Sequence, residues 1–487
     1  MEKKEQTTPV STNLKENIEI MREYLGVEKS FDVIHLDLNY ANKDMAIFFI
    51  DGFIKDDIFL HIMSLLAELK EEDLEEHTLD RLLKRYIPYV ELATERDLIN
   101  AANQVLAGQT ALIVDGIDQA ILIDTRTYPA RTPQEPDIER VVRGSKDGYV
   151  ETLVFNTTLT RRKVRDRSLR MEFMQVGRRS KTDVVICYIE DIADVELVEN
   201  INKSLEKIDT DGIPMAEKTV EEYISGNHWN PYPTVRYTER PDTAAVHLLE
   251  GHVCIIVDGS PSVIITPTTF WHHVQHAEEY RNKPIVGAYL RIVRFLGVLI
   301  SIFLIPLWYL YAVHPEVLPD VLSFIGPNKK GNVPLFLQFL IVEIGIDMLR
   351  MAAIHTPNSL ATALGIVAAL MIGQVAVEVG LFSNEVILYI AVAAIGMFAT
   401  PSYELSMANR ITRLVLLIIT GVFGSVGFVI GTFAWILLLA NMKSYKVPYL
   451  WPFIPFDFKA FMDIIIRAPI PLKRTRPKFL DPKDPDR

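Results

Sequence analysis

A chain of 487 residues with 50 Lys and Arg against 62 Asp and Glu has a formal net charge of −12, which excludes the concentrated basic surface that nucleic-acid binding needs. No GxxxxGK[ST] phosphate loop, no GxGxxG following a strand, no HExxH and no GxSxG occurs, so neither an enzyme nor a cofactor is expected. Nearly all of the charge precedes residue 295, whereas most of the 150 residues after it are apolar.

Residues 1–30 are polar and lack the apolar core of a signal peptide. They read as a flexible lead-in with a short helix near Ile18, Met21 and Leu25, and the first 290 residues are expected to stay in the cytoplasm. Strand-like FDVIHLDL and KDMAIFFIDGFIK then precede a helical DDIFLHIMSLLAELKEE that opens on acidic residues. A second pass of the same kind runs through LRMEFMQVG and DVVICYIEDI to DVELVENINKSLEKI. Cys187 and Cys254 lie inside such apolar runs and read as small buried hydrophobes.

A weak internal repeat accompanies this pattern. TERDLINAANQVLAGQTALIVDGIDQAILI (94–123) and TERPDTAAVHLLEGHVCIIVDGSPSVII (238–265) both read as helix, strand, Asp-Gly turn, strand. The expected fold is an α/β cytoplasmic N-terminal region of two lobes, 31–150 and 151–285, followed by an α-helical transmembrane bundle over 286–456 and a basic C-terminal tail over 457–487. His272, His273 and His276 could share a helix face, but a surface helix before the membrane explains them and no metal is expected.

Residues 295–313 are nineteen uncharged residues behind Arg291 and Arg294, close to the roughly 20 that cross a bilayer, and the arginines place the preceding side in the cytoplasm. Further spans are expected at 359–382, 386–403 and 414–442, with a weaker, charged candidate at 333–354. Five crossings would put LKRTRPK (472–478) outside, against its preference for the cytoplasm. A re-entrant 333–354, or a glycine-broken 414–442 that doubles back, would bring both ends inside. The aromatic VPYLWPFIPF (447–456) suits the headgroup level.

On a helix through 359–382, Ala361, Gly365, Ala369, Gly373, Ala376 and Gly380 form a small-residue side suited to close helix packing. Ala363, Val367, Leu370, Gln374 and Glu378 cluster roughly opposite. This face either lines a water-filled path, with Val367 or Leu370 as an apolar constriction, or lets Glu378 reach water at the membrane's edge. Glu343, Asp347 and Arg350 share another face, as an ion-pair network within the bundle or as part of an ion or proton route.

RYTERP (236–241), VDGSP (257–261), PTTF (267–270), EYR (279–281), PEVLP (315–319), VP (333–334), MLRMA (348–352), GIVAALMIGQVAVEVGLFS (365–383) and VPYLWPFIP (447–455) together resemble the A subunits of the GerA family of spore germination proteins. The resemblance implies a multi-pass protein of the spore inner membrane with a two-lobed cytoplasmic region. It implies a homo-oligomer whose helices conduct ions, with monovalent cations as the permeant species, and which promotes or amplifies germination beside other spore inner-membrane germination proteins. The alternative is a non-conducting scaffold, or a germinant-receptor subunit that binds ligand or partners through its lobes. GQVAVEVG (373–380) would belong to the pore helix. Family members commonly read LLREA where this chain has MLRMA, so any role of that acid is in doubt at Met351.

Overall fold

An alternating apolar and polar strand and an apolar run build the hairpin of β1 (Val33–Tyr40) and β2 (Lys43–Ile50), closed by Ala41 and Asn42 at positive φ of 51° and 54°, the pair of conformations a tight two-residue hairpin turn requires. The computed structural model describes residues 8–74, 78–87, 92–126, 139–226, 228–314, 325–326, 331–355, 365, 374–473 and 475–486. The chain divides into two compact units: residues 1–227, 235–267 and 470–487 form the first, and 228–234 with 268–469 form the second.

The first unit contains two antiparallel five-stranded sheets of the same connectivity. One joins β1 and β2 to β3 (Leu92–Glu95), β4 (Thr110–Val114) and β5 (Ala120–Ile123) in the order β1-β2-β4-β5-β3. The other uses β6 (Leu169–Val176), β7 (Thr182–Ile189), β8 (Arg236–Thr238), β9 (Val253–Val257) and β10 (Val263–Thr266) in the order β6-β7-β9-β10-β8.

The repeat extends to single atoms. Asp115 and Asp258, the aspartates of the two VDG motifs, accept hydrogen bonds from the backbone N–H of Leu14 and Leu153 at 3.1 and 3.0 Å. Leu14 and Leu153 open α1 (Leu14–Leu25) and, later in the chain, the helix Leu153–Lys163. Gly116 and Gly259 donate to Thr12 and Glu151 carbonyls at 2.8 and 2.7 Å. Each aspartate thus supplies a carboxylate to the first turn of a helix, where orphan N–H groups and the helix dipole favour it.

The longer helices among the described residues of this unit also include α2 (Asp56–Ala67), α3 (Leu98–Leu106), α4, which is Leu153–Lys163, α5 (Val195–Glu206), α6 (Ala216–Ser225) and α7 (Pro241–Glu250). Leu14, Met21 and Leu25 of α1 sit in the core with Phe48, Val105 and Ile113. Residues 10–25 are therefore part of the first sheet's layer rather than a lead-in. The tail returns to this unit as well: Lys483 N–H donates to the Ile192 carbonyl at 3.0 Å, and Arg476 Nε to that of Leu249 at 2.9 Å. Cys187 and Cys254 are free and fully buried.

Two buried histidines make this unit acid-sensitive. Burial pushes His252 down to about 3, although its Nδ1 bonds the Pro267 carbonyl at 2.8 Å, and burial likewise holds His247 well below the usual range. Both stay neutral in the fold but take up protons near pH 6.5 when unfolded, so their contribution is present above that pH and lost as pH falls below it. His252 alone should lower stability by about 2 kcal/mol between pH 7.5 and pH 5. Thermal melts of the full chain across that range check this, with a shallower fall expected for His252→Gln.

In the second unit, α8 (Pro284–Val313), α9 (Leu335–His355), α10 (Asn384–Phe398) and α11 (Tyr403–Asn441) carry the apolar half. α8 and α11 are long and apolar enough to cross a membrane by length and composition. α10 is a 15-residue apolar helix, and α9 runs unbroken through its three charges. α8 and α10 cross so closely that a Cβ on Gly396 would stand 2.4 Å from the Gly297 carbonyl oxygen. Only glycine permits that approach.

α11 is not straight. Gly424 has φ 59° and ψ −139°, outside the helical region and open essentially to glycine alone. Beyond it a Cβ on Gly431 would lie 2.9 Å from Leu416 Cδ2, whereas a straight helix separates those positions by about 22 Å. The chain doubles back, and arms 403–423 and 425–441 lie side by side. Tyr232 fastens them: its hydroxyl bonds Thr412 of one arm at 2.8 Å and accepts from Trp435 Nε1 of the other at 2.6 Å.

Candidate functional site: an ion-pair layer and an exposed carboxylate

The helical half must dispose of its charges, since an unpaired ionised group in an apolar layer is costly. Spacing i, i+4 puts Glu343 and Asp347 on one side of α9, and spacing i, i+3 puts Arg410 and Arg413 on one side of α11. The two sides face each other. Arg413 Nη2 donates to Glu343 Oε2 at 2.9 Å, and its Nη1 donates to the Ser301 carbonyl of α8 at 2.8 Å. Arg410 donates to the Glu343 carbonyl at 2.6 Å, while its Nη1 stands 2.7 Å from Asp347 Oδ1. Arg350 donates to the same Asp347 oxygen at 3.0 Å.

Three helices are thereby tied through five charged side chains. Glu343, Arg410 and Arg413 are 1–2% exposed, and Asp347 is the wettest member, its side chain 34% exposed. Three guanidinium groups against two carboxylates leave one positive charge in excess. Backbone carbonyls of Ser301 and Glu343 take up part of that excess.

Gln374 and Glu378 are elsewhere. Gln374 is exposed, and Glu378 ends a short turn of helix, Ala376–Glu378, which Gly380 closes at φ 75°. That turn is held by one backbone and one side-chain acceptor: Asn332 N–H donates to the Gly380 carbonyl at 2.9 Å, and Ser383 N–H to Gln338 Oε1 at 2.9 Å. Glu378 is exposed, and its side chain has no hydrogen-bond or ion-pair partner among the described residues. It does not join Glu343 and Asp347.

Ala363, Val367 and Leu370 of the polar-face set lie outside the described residues, as do Ala361, Ala369 and Gly373 of the small-residue set. At Gly365 an added Cβ would meet nothing within 4 Å. Among the described residues, Gly297 of α8 and Gly396 of α10 pack closely. His272 and His273 occupy a 3-10 turn, Phe270–His273, rather than an α-helix, and His272 Nδ1 bonds Thr269 Oγ1 at 2.8 Å. Their helical face is a correction: the Thr269 cap tightens this turn.

Arg410 and Arg413 escaped the sequence reading because each stands before an uncharged run and looks like a flanking charge. The available signal was their i, i+3 spacing, matched against acids about seventy residues upstream that needed cations.

Residues 19–479 match the family model described as Bacillus/Clostridium GerA spore germination protein. The chain is 48% identical to stage V sporulation protein AF of Bacillus subtilis (strain 168), over 99% of this chain and 98% of that one. It is 30% identical to spore germination protein KA of the same organism, over 99% of this chain and 89% of the relative. Among solved structures it is similar to the N-terminal domain of the A subunit of the Bacillus megaterium spore germinant receptor GerK3, at 27% identity and a TM-score of 0.44, over 54% of this chain and 98% of that one. The chain belongs to the GerA family of spore germination proteins.

Proposed function

We propose that this protein is a subunit of an oligomeric ion channel in the spore inner membrane that promotes or amplifies germination, with residues 31–285 as its cytoplasmic part. The germination role rests on family membership. The observation that carries conduction is the contrast between two sets of polar groups. Glu343 and Asp347 are engaged by arginines, whereas Glu378 is an exposed carboxylate without a partner among the described residues, on a segment otherwise apolar. Repeated around a symmetry axis, such a group with Gln374 one turn earlier would enrich monovalent cations at a pore mouth. Val367 or Leu370, deeper along the segment, would form the apolar constriction. The layout of the ends supports the reading: the first unit holds both Pro267, where the chain leaves, and Ile470, where it returns. This reading calls for an even number of crossings.

The test is cation flux through the purified full chain in liposomes. Glu378→Ala should lower cation flux by roughly two- to tenfold, as loss of one acid per subunit at a mouth predicts, and Leu370→Ala should leak. No flux from the unsubstituted protein, together with unchanged germination of Glu378→Ala spores, overturns the proposal. The relatives named as spore germination proteins support a second reading, a non-conducting scaffold or receptor subunit. That reading predicts partner cross-links through the sheets with no ion flux.

A further inference from the structure

The C-terminal end of the second unit carries an apolar surface unrelated to the ion-pair layer. After the turn at 451–456, α12 (Phe458–Ile465) begins at Asp457, whose side chain caps Ala460 N–H at 3.1 Å. Ile464 is its buried contact, while Phe456 and Phe458 are 64% and 67% exposed. At about 100° per residue, Phe458, Met462 and Ile465 fall within a sector of about 60°, and Lys459 and Asp463 lie to one side of it. Phe458 is exposed, Met462 and Ile465 are half-buried beside it, and Lys459 and Asp463 are exposed at the edge, an amphipathic arrangement in the manner of helices that lie in a membrane interface.

Two sets of contacts fix where this helix stands relative to α8. An aromatic ladder leads from Phe295 of α8 to Trp271 (5.5 Å between centroids), from Trp271 to Phe453, stacked at 4.3 Å, and from Phe453 to Phe461 of α12 at 4.9 Å. Beside it Arg291 of α8, 1% exposed, donates to the carbonyls of Asp463 and Ile464 at 2.9 and 2.7 Å, satisfying orphan groups of α12's last turn, and its Nε donates to Glu279 at 2.7 Å. On both sides of Arg291 the outward side of α8 is apolar, with Ile285, Tyr289, Ile292 and Leu296 46–79% exposed. The last turn of α12 therefore stands beside the exposed belt of α8.

We propose that α12 and the aromatic turn before it form a foot in the lipid interface, with Phe456, Phe458 and Met462 at the boundary of headgroups and acyl chains. The occupant of this face is bilayer lipid, because the helix is bonded to α8 beside the apolar belt that α8 presents and is aromatic where a membrane protein meets headgroups. Through Arg291 the foot sets the depth of α8. The inference rests on the membrane reading of α8, and the test separates the two.

The full chain is placed in phosphatidylethanolamine–phosphatidylglycerol vesicles, with a thiol-linked environment-sensitive dye on Phe458→Cys or, as the insertion control, on Leu296→Cys. The unsubstituted chain serves as blank, since Cys187 and Cys254 are buried. Shallow doxyl lipids should quench the dye at 458 by about twofold with little quenching by aqueous iodide. If 296 is quenched by lipid while 458 responds to iodide alone, the foot is refuted and the membrane reading stands. Should 458 be shielded from lipid and iodide alike while 296 lies in lipid, a second copy or other protein covers the face, and the proposal also fails. Lipid quenching at neither position removes the membrane reading and the foot with it.

Discussion

Replacing Glu343 with alanine should cost about 3–5 kcal/mol, the usual effect of removing one partner of a buried ion pair and stranding the other. Arg413 loses the carboxylate it meets at 2.9 Å and Arg410 the one it meets at 3.3 Å, and both are 2% exposed. Glu343→Gln keeps the shape and one acceptor, and its loss should be smaller. Glu343→Leu combined with Arg413→Leu should recover most of the stability, because removing both charges ends the desolvation penalty together with the attraction. The measurement is the thermal midpoint of the detergent-solubilised full chain, alongside the amount recovered in the membrane fraction. It also separates the two roles that the sequence leaves open. A structural pair predicts that Glu343→Gln changes stability and leaves flux per folded molecule unaltered. An ion or proton route predicts altered flux from a chain that still melts like the parent.

The sheets are more legible in the sequence than the helical half, for a physical reason. The hairpins are local, with their turn chemistry beside them: alternation marks β1 and β6, apolar runs mark β2 and β7, and VDG marks the turns after β4 and β9. Helix α4 is harder to see. LVFNTTLTRRK has little apolar periodicity, and its buried polar side chains are satisfied by bonds such as Thr160 Oγ1 with the Asn156 carbonyl at 2.8 Å. Helix α1 shows one apolar stripe whose burial depends on a core supplied mostly from further along the chain.

In the helical half the informative partners are far apart. Glu343 and Asp347 show their mutual repulsion in the sequence, but Arg410 and Arg413, which resolve it, sit 67 and 70 residues downstream of Glu343. The reversal of α11 leaves a local trace in GVFGSVG, whose glycines permit a break without specifying its angle. Tyr232, which joins the two arms, comes from a loop about 180 residues before Thr412. Hydropathy reports an apolar run and carries no information on which distant side chain fastens it.

Asp32→Ala should be of similar severity in the first unit, at about 3–5 kcal/mol, because Arg161 is 1% exposed and would be left charged without its counterion. Arg161 is on α4, beside the second sheet, and meets Asp32, just before β1, through Nε and Nη2 at 2.9 Å each. This fork geometry suits a guanidinium and cannot be reproduced by lysine. Ser30 adds its hydroxyl to Asp32 at 2.8 Å and accepts from the backbone N–H of Met171 in β6 at 3.0 Å. Nearby, Gly52 at φ 79° brings the chain so close to α4 that a Cβ there would stand 2.1 Å from Thr158 Oγ1. The two sheets are therefore joined by a desolvated pair in a closely fitted seam. Arg161→Lys should recover little, and a cycle of Asp32→Leu with Arg161→Met should show a coupling of about 0.5–3 kcal/mol between the two sites. Denaturant melts of the four proteins measure it. Additive losses would mean that the pair adds nothing to the seam beyond shape. A coupling of that size would mean that the charged pair itself, and not only its shape, holds the two sheets together.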